Sequence, residues 1–186
     1  METSQSIEII ENMFMESKKS LQRSSFYFIL WGILLIPAGV AEYFFYGQGN
    51  YWIVWPALGI VGGIISTIYG IKEGKRSGVQ TTGDRITSFT WGAFVFTMVI
   101  AIIYTVNNHL SPSPMVLMLA GSATFISGGI SKFSPFIWGG VILEIGAILC
   151  AFVFGPEYHG LIFAGSILLG YVIPGLILRR IENDKA

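Results

Sequence analysis

One carboxylate, Glu144, lies in the middle of a long apolar run and is the only charged residue between Phe133 and Pro156. An ionisable side chain in such a run is costly, so it pairs with a polar partner or lies on a proton or ion pathway. If the run crosses a membrane from Lys132, twelve residues separate the two charges. At about 1.5 Å per residue this is about 18 Å, near the middle of a hydrocarbon core roughly 30 Å thick.

Hydroxyl residues of three other apolar runs lie at similar distances from the nearest cation, so each is a candidate partner for Glu144. They are Thr97, Ser122 and Ser166. Two interpretations stay open. In the structural one, the glutamate hydrogen-bonds a hydroxyl or a backbone carbonyl and joins two helices. In the functional one, it is a proton or cation site that faces a cavity.

The sequence has few other residues whose type and position could do chemistry. Glu42 ends the first apolar run and is predicted at the outer interface, where its carboxylate can reach water. His109 and His159 fall in predicted outer turns, and Glu157 beside His159 is weak evidence for a metal. The chain has no HExxH, CxxC, GxSxG or GxGxxG motif. We therefore predict no catalytic, cofactor or metal site, and a protein that is not an enzyme.

The elements that position these residues must be formed by six apolar runs of the sequence. The chain of 186 residues is 53% hydrophobic and 12% charged, with a mean hydropathy of +0.65, which is too apolar for a soluble domain. A spanning helix needs roughly 20 apolar residues. We predict an all-α polytopic membrane protein whose transmembrane domain covers residues 24–178. Its six spans are placed at about residues 26–45, 51–71, 86–106, 115–131, 133–154 and 160–178.

The distribution of cations predicts orientation. All eleven Lys and Arg residues fall before the first span, in the second and fourth gaps, or in the tail at residues 179–186. Cationic flanks resist translocation, so both termini are predicted to be cytoplasmic. The formal net charge is zero, so no attraction to nucleic acid is expected.

Residues 1–23 are predicted to form a cytoplasmic amphipathic helix, with Ile7, Ile10, Phe14 and Leu21 on its apolar side. The helix either docks a protein partner or a second copy of the chain, or lies along the membrane surface. The predicted partners are therefore the lipid bilayer and a homo-oligomer or protein partner bound through residues 1–23.

The odd-numbered spans begin with similar phrases, at Ser25–Gly32, Ser88–Gly92 and Ser134–Gly139. Three tandem helical hairpins would give this pattern. The tryptophans in these phrases also suit any inner membrane interface, and an inverted repeat of three spans plus three fits the helix count.

Small residues predict where helices touch, because they let backbones approach closely in lipid. Gly59 and Gly63 form a GxxxG pair on the second span, and Ser166 with Gly170 forms a similar pair on the sixth.

Four phrases together resemble those of a group of uncharacterised bacterial inner-membrane proteins of six spans. They are Ser24–Gly32, Trp55-Pro56, Lys132–Gly139 and Gly170–Gly175. The resemblance covers nearly the whole chain and implies a bacterial inner-membrane location, but carries over no activity. The span count and hairpin repetition alone are similar to bacterial acid-resistance membrane proteins. We expect a non-enzymatic assembly, regulatory or stress-related bundle, or else a small-solute or proton-coupled carrier or channel that uses Glu144.

Overall fold

The computed structural model describes residues 25–48, 54–74, 82–108 and 110–183. The amphipathic helix predicted at residues 1–23 lies outside these ranges, as do most of the loop after the second span and the last three residues. The described ranges are helical apart from short connections, and they contain no strand.

Six helices cover the described ranges, and each is long and apolar enough to cross a membrane. They are α1 (Ser25–Phe45), α2 (Val54–Gly74), α3 (Thr82–Asn107), α4 (Ser113–Ser131), α5 (Ser134–Val153) and α6 (Pro156–Asn183). The helix α5 ends in a π-helical turn, Leu149–Val153, and α6 contains a second one, Leu168–Val172. The predicted all-α class is therefore confirmed.

The sixth helix begins earlier than predicted, at Pro156 instead of residue 160. Proline suits the first position of a helix because its φ is already helical and its missing N–H would have had no partner there. Glu157 lies in the first turn, where a negative charge interacts favourably with the helix dipole. The segment predicted as an outer turn is thus mostly helical.

Aromatic contacts show that the helices alternate in direction. Phe28, near the start of α1, stacks on Phe136 near the start of α5, with a centroid distance of 4.1 Å. Phe28 also makes an edge contact at 5.9 Å with Trp91 in the first half of α3. Phe26 stacks at 3.8 Å on Tyr69, near the end of α2. The N-terminal parts of α1, α3 and α5 therefore lie at the same end of the bundle as the C-terminal part of α2.

Two adjacent glycines make α5 the central helix. A Cβ built on Gly140 would lie 2.7 Å from the carbonyl oxygen of Gly121 on α4. A Cβ built on Gly139 would meet the carbonyl oxygen of Gly170 on α6. The backbones of α4 and α6 thus touch α5 on two sides, and among the helices α3 to α6 the most extensive seam joins α4 to α5. In the three-hairpin arrangement these two helices belong to different hairpins.

Glycine also brings α1 against α6. A Cβ on Gly39 would lie 2.5 Å from the carbonyl oxygen of Gly160, and one on Gly160 would meet the carbonyl oxygen of Gly39. On the other side of α1, Trp31 packs over Gly62 of α2, 2.8 Å from the position of a Cβ there.

The helices α2 and α3 lie at the periphery of the bundle. Of their most apolar 18-residue windows, 6% and 0% are buried, against 39–50% for α4, α5 and α6. The predicted GxxxG pair on α2 faces away from the described core, since a Cβ on Gly59 or Gly63 would have nothing within 4 Å. The helix α3 is joined to α4 by a hydrogen bond of 3.1 Å from the Trp91 indole to the Ser127 hydroxyl.

Candidate functional site

The carboxylate of Glu144 lies on the seam between α4 and α5. Ser122 Oγ donates a hydrogen bond of 2.9 Å to its Oε1. The close approach at Gly121 and Gly140 makes this bond reachable, and a Cβ on Gly121 would lie only 3.0 Å from the same carboxylate oxygen. Glu144 is half-buried and Ser122 is exposed, so the pair lies toward the outside of the seam.

The two other predicted hydroxyl partners lie elsewhere. Thr97 is exposed on α3. Ser166 is buried on α6 and its hydroxyl packs against Gly146 of α5, in the seam between those two helices. Of the predicted polar set, the structure therefore brings together Glu144 and Ser122.

Glu42 lies in the last full turn of α1 and is only 5% exposed, whereas its carboxylate was predicted to reach water. The burial follows from the glycine contact between α1 and α6, because a Cβ on Gly160 would lie 2.9 Å from Cβ of Glu42. With α6 so close, the carboxylate is covered. The indole of Trp55 approaches it from α2 as a hydrogen-bond donor, while Oε2 has no partner among the described residues.

His159 is also buried, at 6% exposure, although it was predicted to lie in a solvated turn. It belongs to the first turns of α6, and its Nε2 lies 3.2 Å from the carbonyl oxygen of Phe154. The thiol of Cys150, from the π-helical turn of α5, lies 4.0 Å from the carbonyl oxygen of His159. A helix begun at Pro156 would have predicted this burial, because His159 then shares one face with Phe163 four residues later.

A further polar contact lies inside the bundle and was not predicted. Tyr171, in the π-helical turn of α6, is 4% exposed and contacts the side chain of Thr124 on α4 as a hydrogen-bond partner. Thr124 also donates a bond of 2.7 Å to the carbonyl oxygen of Ala120 in its own helix. A tyrosine in a membrane protein is usually expected at a membrane–water interface, so the amino-acid sequence did not predict this buried contact.

No metal-ligand cluster accompanies these groups in the described part of the chain. Its His, Cys, Asp and Glu residues form no group of three or more that could hold a metal ion. An open groove on the outside of α3 has an almost wholly apolar lining, formed by Trp91, Gly92, Val95, Phe96, Val99 and Ile100. That lining suits lipid or another apolar helix.

Comparison with protein families, with curated proteins and with solved structures found no match to this chain. The resemblance to six-span bacterial proteins therefore stays a prediction. The class that the fold defines is that of an all-helical protein whose six long apolar helices indicate multiple passes through a membrane.

Proposed function

We propose that this chain is an integral protein of the bacterial inner membrane that works without catalysis, as an assembly, regulatory or stress-related bundle. The observation that carries the proposal is the 2.9 Å bond from Ser122 to Glu144. A mid-span carboxylate held in this way joins α4 to α5. A carrier would need the same carboxylate to exchange a proton or a solute during each cycle.

The uneven burial of the helices supports a protein that acts through contact with other membrane components. Core residues come mainly from α1, α4, α5 and α6, while the apolar surfaces of α2 and α3 are largely uncovered. Phe96 on α3 is 71% exposed. In a bilayer such surfaces meet lipid or a neighbouring helix, and association there depends on close packing.

The described cations support an orientation with both termini in the cytoplasm. They lie where odd helices begin or even helices end: Lys72, Arg85, Lys132, Arg179 and Arg180. An excess of Lys and Arg marks the cytoplasmic side. Residues 1–23 would then be available on that side for a protein partner or a second copy of the chain.

A carrier or channel is the second candidate, and the position of the Ser122–Glu144 pair favours it. Glu144 is half-buried and Ser122 is exposed, so the carboxylate can be reached from the surface of the α4–α5 seam. In this alternative, Glu144 would exchange a proton or bind a small cationic solute.

Substitution of Glu144 separates the two candidates. Glu144→Gln keeps the size and can still accept the bond from Ser122, but cannot titrate. Glu144→Leu removes the bond. Wild type and both variants would be reconstituted in liposomes loaded with a pH-sensitive dye, and the same variants tested for growth at low pH.

For a bundle, Glu144→Gln should match wild type in every flux and growth measurement, while Glu144→Leu should be less stable. Glu157→Gln serves as a matched control, because Glu157 is an exposed carboxylate at the end of a helix. A proton flux that is present in wild type and lost in Glu144→Gln, but kept in Glu157→Gln, would contradict the bundle and support the carrier.

A further inference from the structure

The Ser122–Glu144 pair faces outward from the bundle at the middle of two long apolar helices. Each residue stands near the middle of its helix, Ser122 in α4 and Glu144 in α5. Ser122 is exposed and Glu144 is half-buried. Polar side chains at the middle of a membrane normally face the interior of a bundle or a water-filled cavity, because hydrocarbon offers them no hydrogen bonds. The outward position of this pair therefore calls for a polar neighbour.

The described helices leave hydrogen-bonding positions of the pair free. The bond from Ser122 Oγ to Oε1 is the one hydrogen bond that the Glu144 carboxyl makes within the described ranges. A carboxyl group has two oxygens with about four acceptor positions, and a hydroxyl oxygen can accept as well as donate. The pair can therefore bond a further polar group that approaches from outside.

The other faces of α4 are occupied by neighbouring helices. Ser127 faces α3, where it accepts the hydrogen bond from Trp91. Thr124 faces α6, where it contacts Tyr171. The surface around Ser122 lies on the remaining side of α4, next to the seam with α5, and is open to a further contact.

An exposed stripe on α4 continues from Ser122 in both directions along the helix. Its members follow one another at intervals of four, three and four residues: Met118, Ser122, Phe125 and Gly129. At 3.6 residues per turn they lie within about 60° of one another. Two small residues alternate with two large ones, and a Cβ on Gly129 would have nothing within 4 Å. This is the heptad spacing of parallel helices, in which each position faces the same position of the neighbour.

A second copy of the chain matches both the stripe and the polar pair. Two copies with the same orientation, related by a twofold axis along the membrane normal, present each residue at the same depth. Ser122 and Gly129 then meet their own counterparts, and small residues allow the close approach on which association in lipid depends. A Glu144 carboxyl that carries a proton can donate to the carboxyl or the hydroxyl of the other copy. The contact therefore needs no polar group that this chain lacks.

We propose that the outer face of the α4–α5 seam is the interface of a homodimer, in which Ser122, Gly129 and Glu144 of two copies meet. The inference rests on the proposed function in that the six helices cross a membrane, and it names a second copy as the partner of the bundle. The interface differs from residues 1–23 and from the exposed surfaces of α2 and α3.

The first test is energy transfer between full-length chains that carry donor and acceptor dyes, reconstituted in liposomes and diluted stepwise with lipid. Gly129→Leu should raise the dissociation constant of the dimer by about tenfold or more, because a bulky side chain overpacks the close contact. Gly63→Leu is the matched control, since a Cβ on Gly63 of α2 also has nothing within 4 Å. Both positions have room for the leucine within one chain, and the control should dimerise like wild type.

The role of the polar pair is tested in the same assay with Glu144→Gln and Glu144→Leu. The amide of glutamine both donates and accepts, so Glu144→Gln should dimerise like wild type. Glu144→Leu should raise the dissociation constant by about three- to tenfold, the effect of one hydrogen bond in a membrane. Equal constants for the two variants would show that the pair is not part of the interface.

The second test is oxidative cross-linking of single cysteines, with copper phenanthroline as the oxidant, in a Cys150→Ser background. Gly129→Cys should give a disulfide-linked dimer, because the two residues meet across the twofold axis. Gly63→Cys should remain monomeric. This test needs no bulky substitution and no change to the polar pair.

Three results would overturn the homodimer. They are energy transfer in wild type that never exceeds background at any lipid dilution, equal weakening by Gly129→Leu and Gly63→Leu, and cross-linking at Gly63 that equals or exceeds that at Gly129. None of them bears on the proposed function, which fails instead if a proton flux is lost in Glu144→Gln. That flux would in turn leave the dimer standing.

Discussion

Gly139 of α5 and Gly170 of α6 lie in reciprocal contact, because a Cβ built on either residue would strike the carbonyl oxygen of the other. The carbonyl of Gly170 has no α-helical donor in its own helix, since the residue four positions later is Pro174. The same proline packs against Gly139, with its Cγ 3.3 Å from a Cβ placed there. Proline and glycine thus create one tight seam together.

The first prediction concerns Gly140, the neighbouring glycine of α5, which contacts α4. Gly140→Ala should destabilise the protein by about 1–3 kcal/mol, because the added methyl meets backbone atoms that cannot move aside. Those atoms are the carbonyl oxygen of Gly121 and the amide nitrogen of Phe125, each 2.7 Å from the Cβ position. Thermal unfolding in detergent, followed by circular dichroism, measures the change.

Gly129→Ala is the matched control. It lies on α4, and its Cβ would have nothing within 4 Å. Alanine favours a helix over glycine by about 1 kcal/mol, so this variant should be as stable as wild type or more stable. If the two variants unfold at the same temperature, the glycine seam does not stabilise the bundle.

The sequence predicted the helices well and the contacts between them less well. Apolar runs of sufficient length determine the number of helices, and the predicted six were found. Their ends differ from the predicted ones by up to about five residues, with the largest differences at the start of α3 and at both ends of α6. The GxxxG pair at Gly59 and Gly63 packs against nothing in the described structure. A small residue shows where a close approach is allowed, but which face of a helix is covered depends on all its neighbours.

The polar residues show the same limit of prediction from sequence. Ser122 was one of three hydroxyl residues predicted at a depth similar to that of Glu144, and the structure joins these two by a hydrogen bond. Thr97 is at a similar depth but lies on a peripheral helix, where it is exposed. Depth follows from counting residues along one helix, whereas lateral position depends on the order of helices in the bundle.

The second prediction measures the Ser122–Glu144 bond by a double-mutant cycle. Ser122→Ala, Glu144→Leu and the double variant should show a coupling of about 0.6 kcal/mol, with about 1.7 as the upper bound for such bonds in membranes. Thr90→Ala serves as the control, since Thr90 donates a bond of 3.0 Å to Ile86 in its own helix. It should combine additively with Glu144→Leu. Additivity in the Ser122 cycle would show that the bond does not hold the helices together.

The third prediction concerns Lys132, which joins α4 to α5 in the left-handed conformation with φ 52°. The N–H of Phe133 bonds to the carbonyl oxygen of Gly128 at 3.0 Å, and that of Lys132 to Gly129 at 3.3 Å, which is the Schellman pattern. A side chain is disfavoured at such a φ. Lys132→Gly should therefore be more stable than Lys132→Ala by about 1 kcal/mol.

Both variants at residue 132 lose the same charge, so the difference between their stabilities depends on the backbone conformation alone. At Ser131, inside the helix, the order should reverse, and Ser131→Gly should be less stable than Ser131→Ala by about 1 kcal/mol. Chemical denaturation in mixed micelles measures both pairs. If alanine is more stable than glycine at residue 132 as well as at residue 131, the left-handed turn is not maintained in the membrane.

The fourth prediction concerns orientation. Cys150 is the only cysteine and is buried, so a Cys150→Ser background allows single cysteines to be introduced at chosen loops. With all cations on the cytoplasmic side, a membrane-impermeant thiol reagent should label cysteines at Asn50, Asn108 and Glu157 in intact cells. A cysteine at Gly78, in the cation-rich loop, should react only after the cells are opened. Asn108 and Glu157 are exposed at the ends of α3 and α6, so failure to label them cannot be attributed to burial. Labelling at Gly78 in intact cells, together with protection of Asn108 and Glu157, would reverse the orientation.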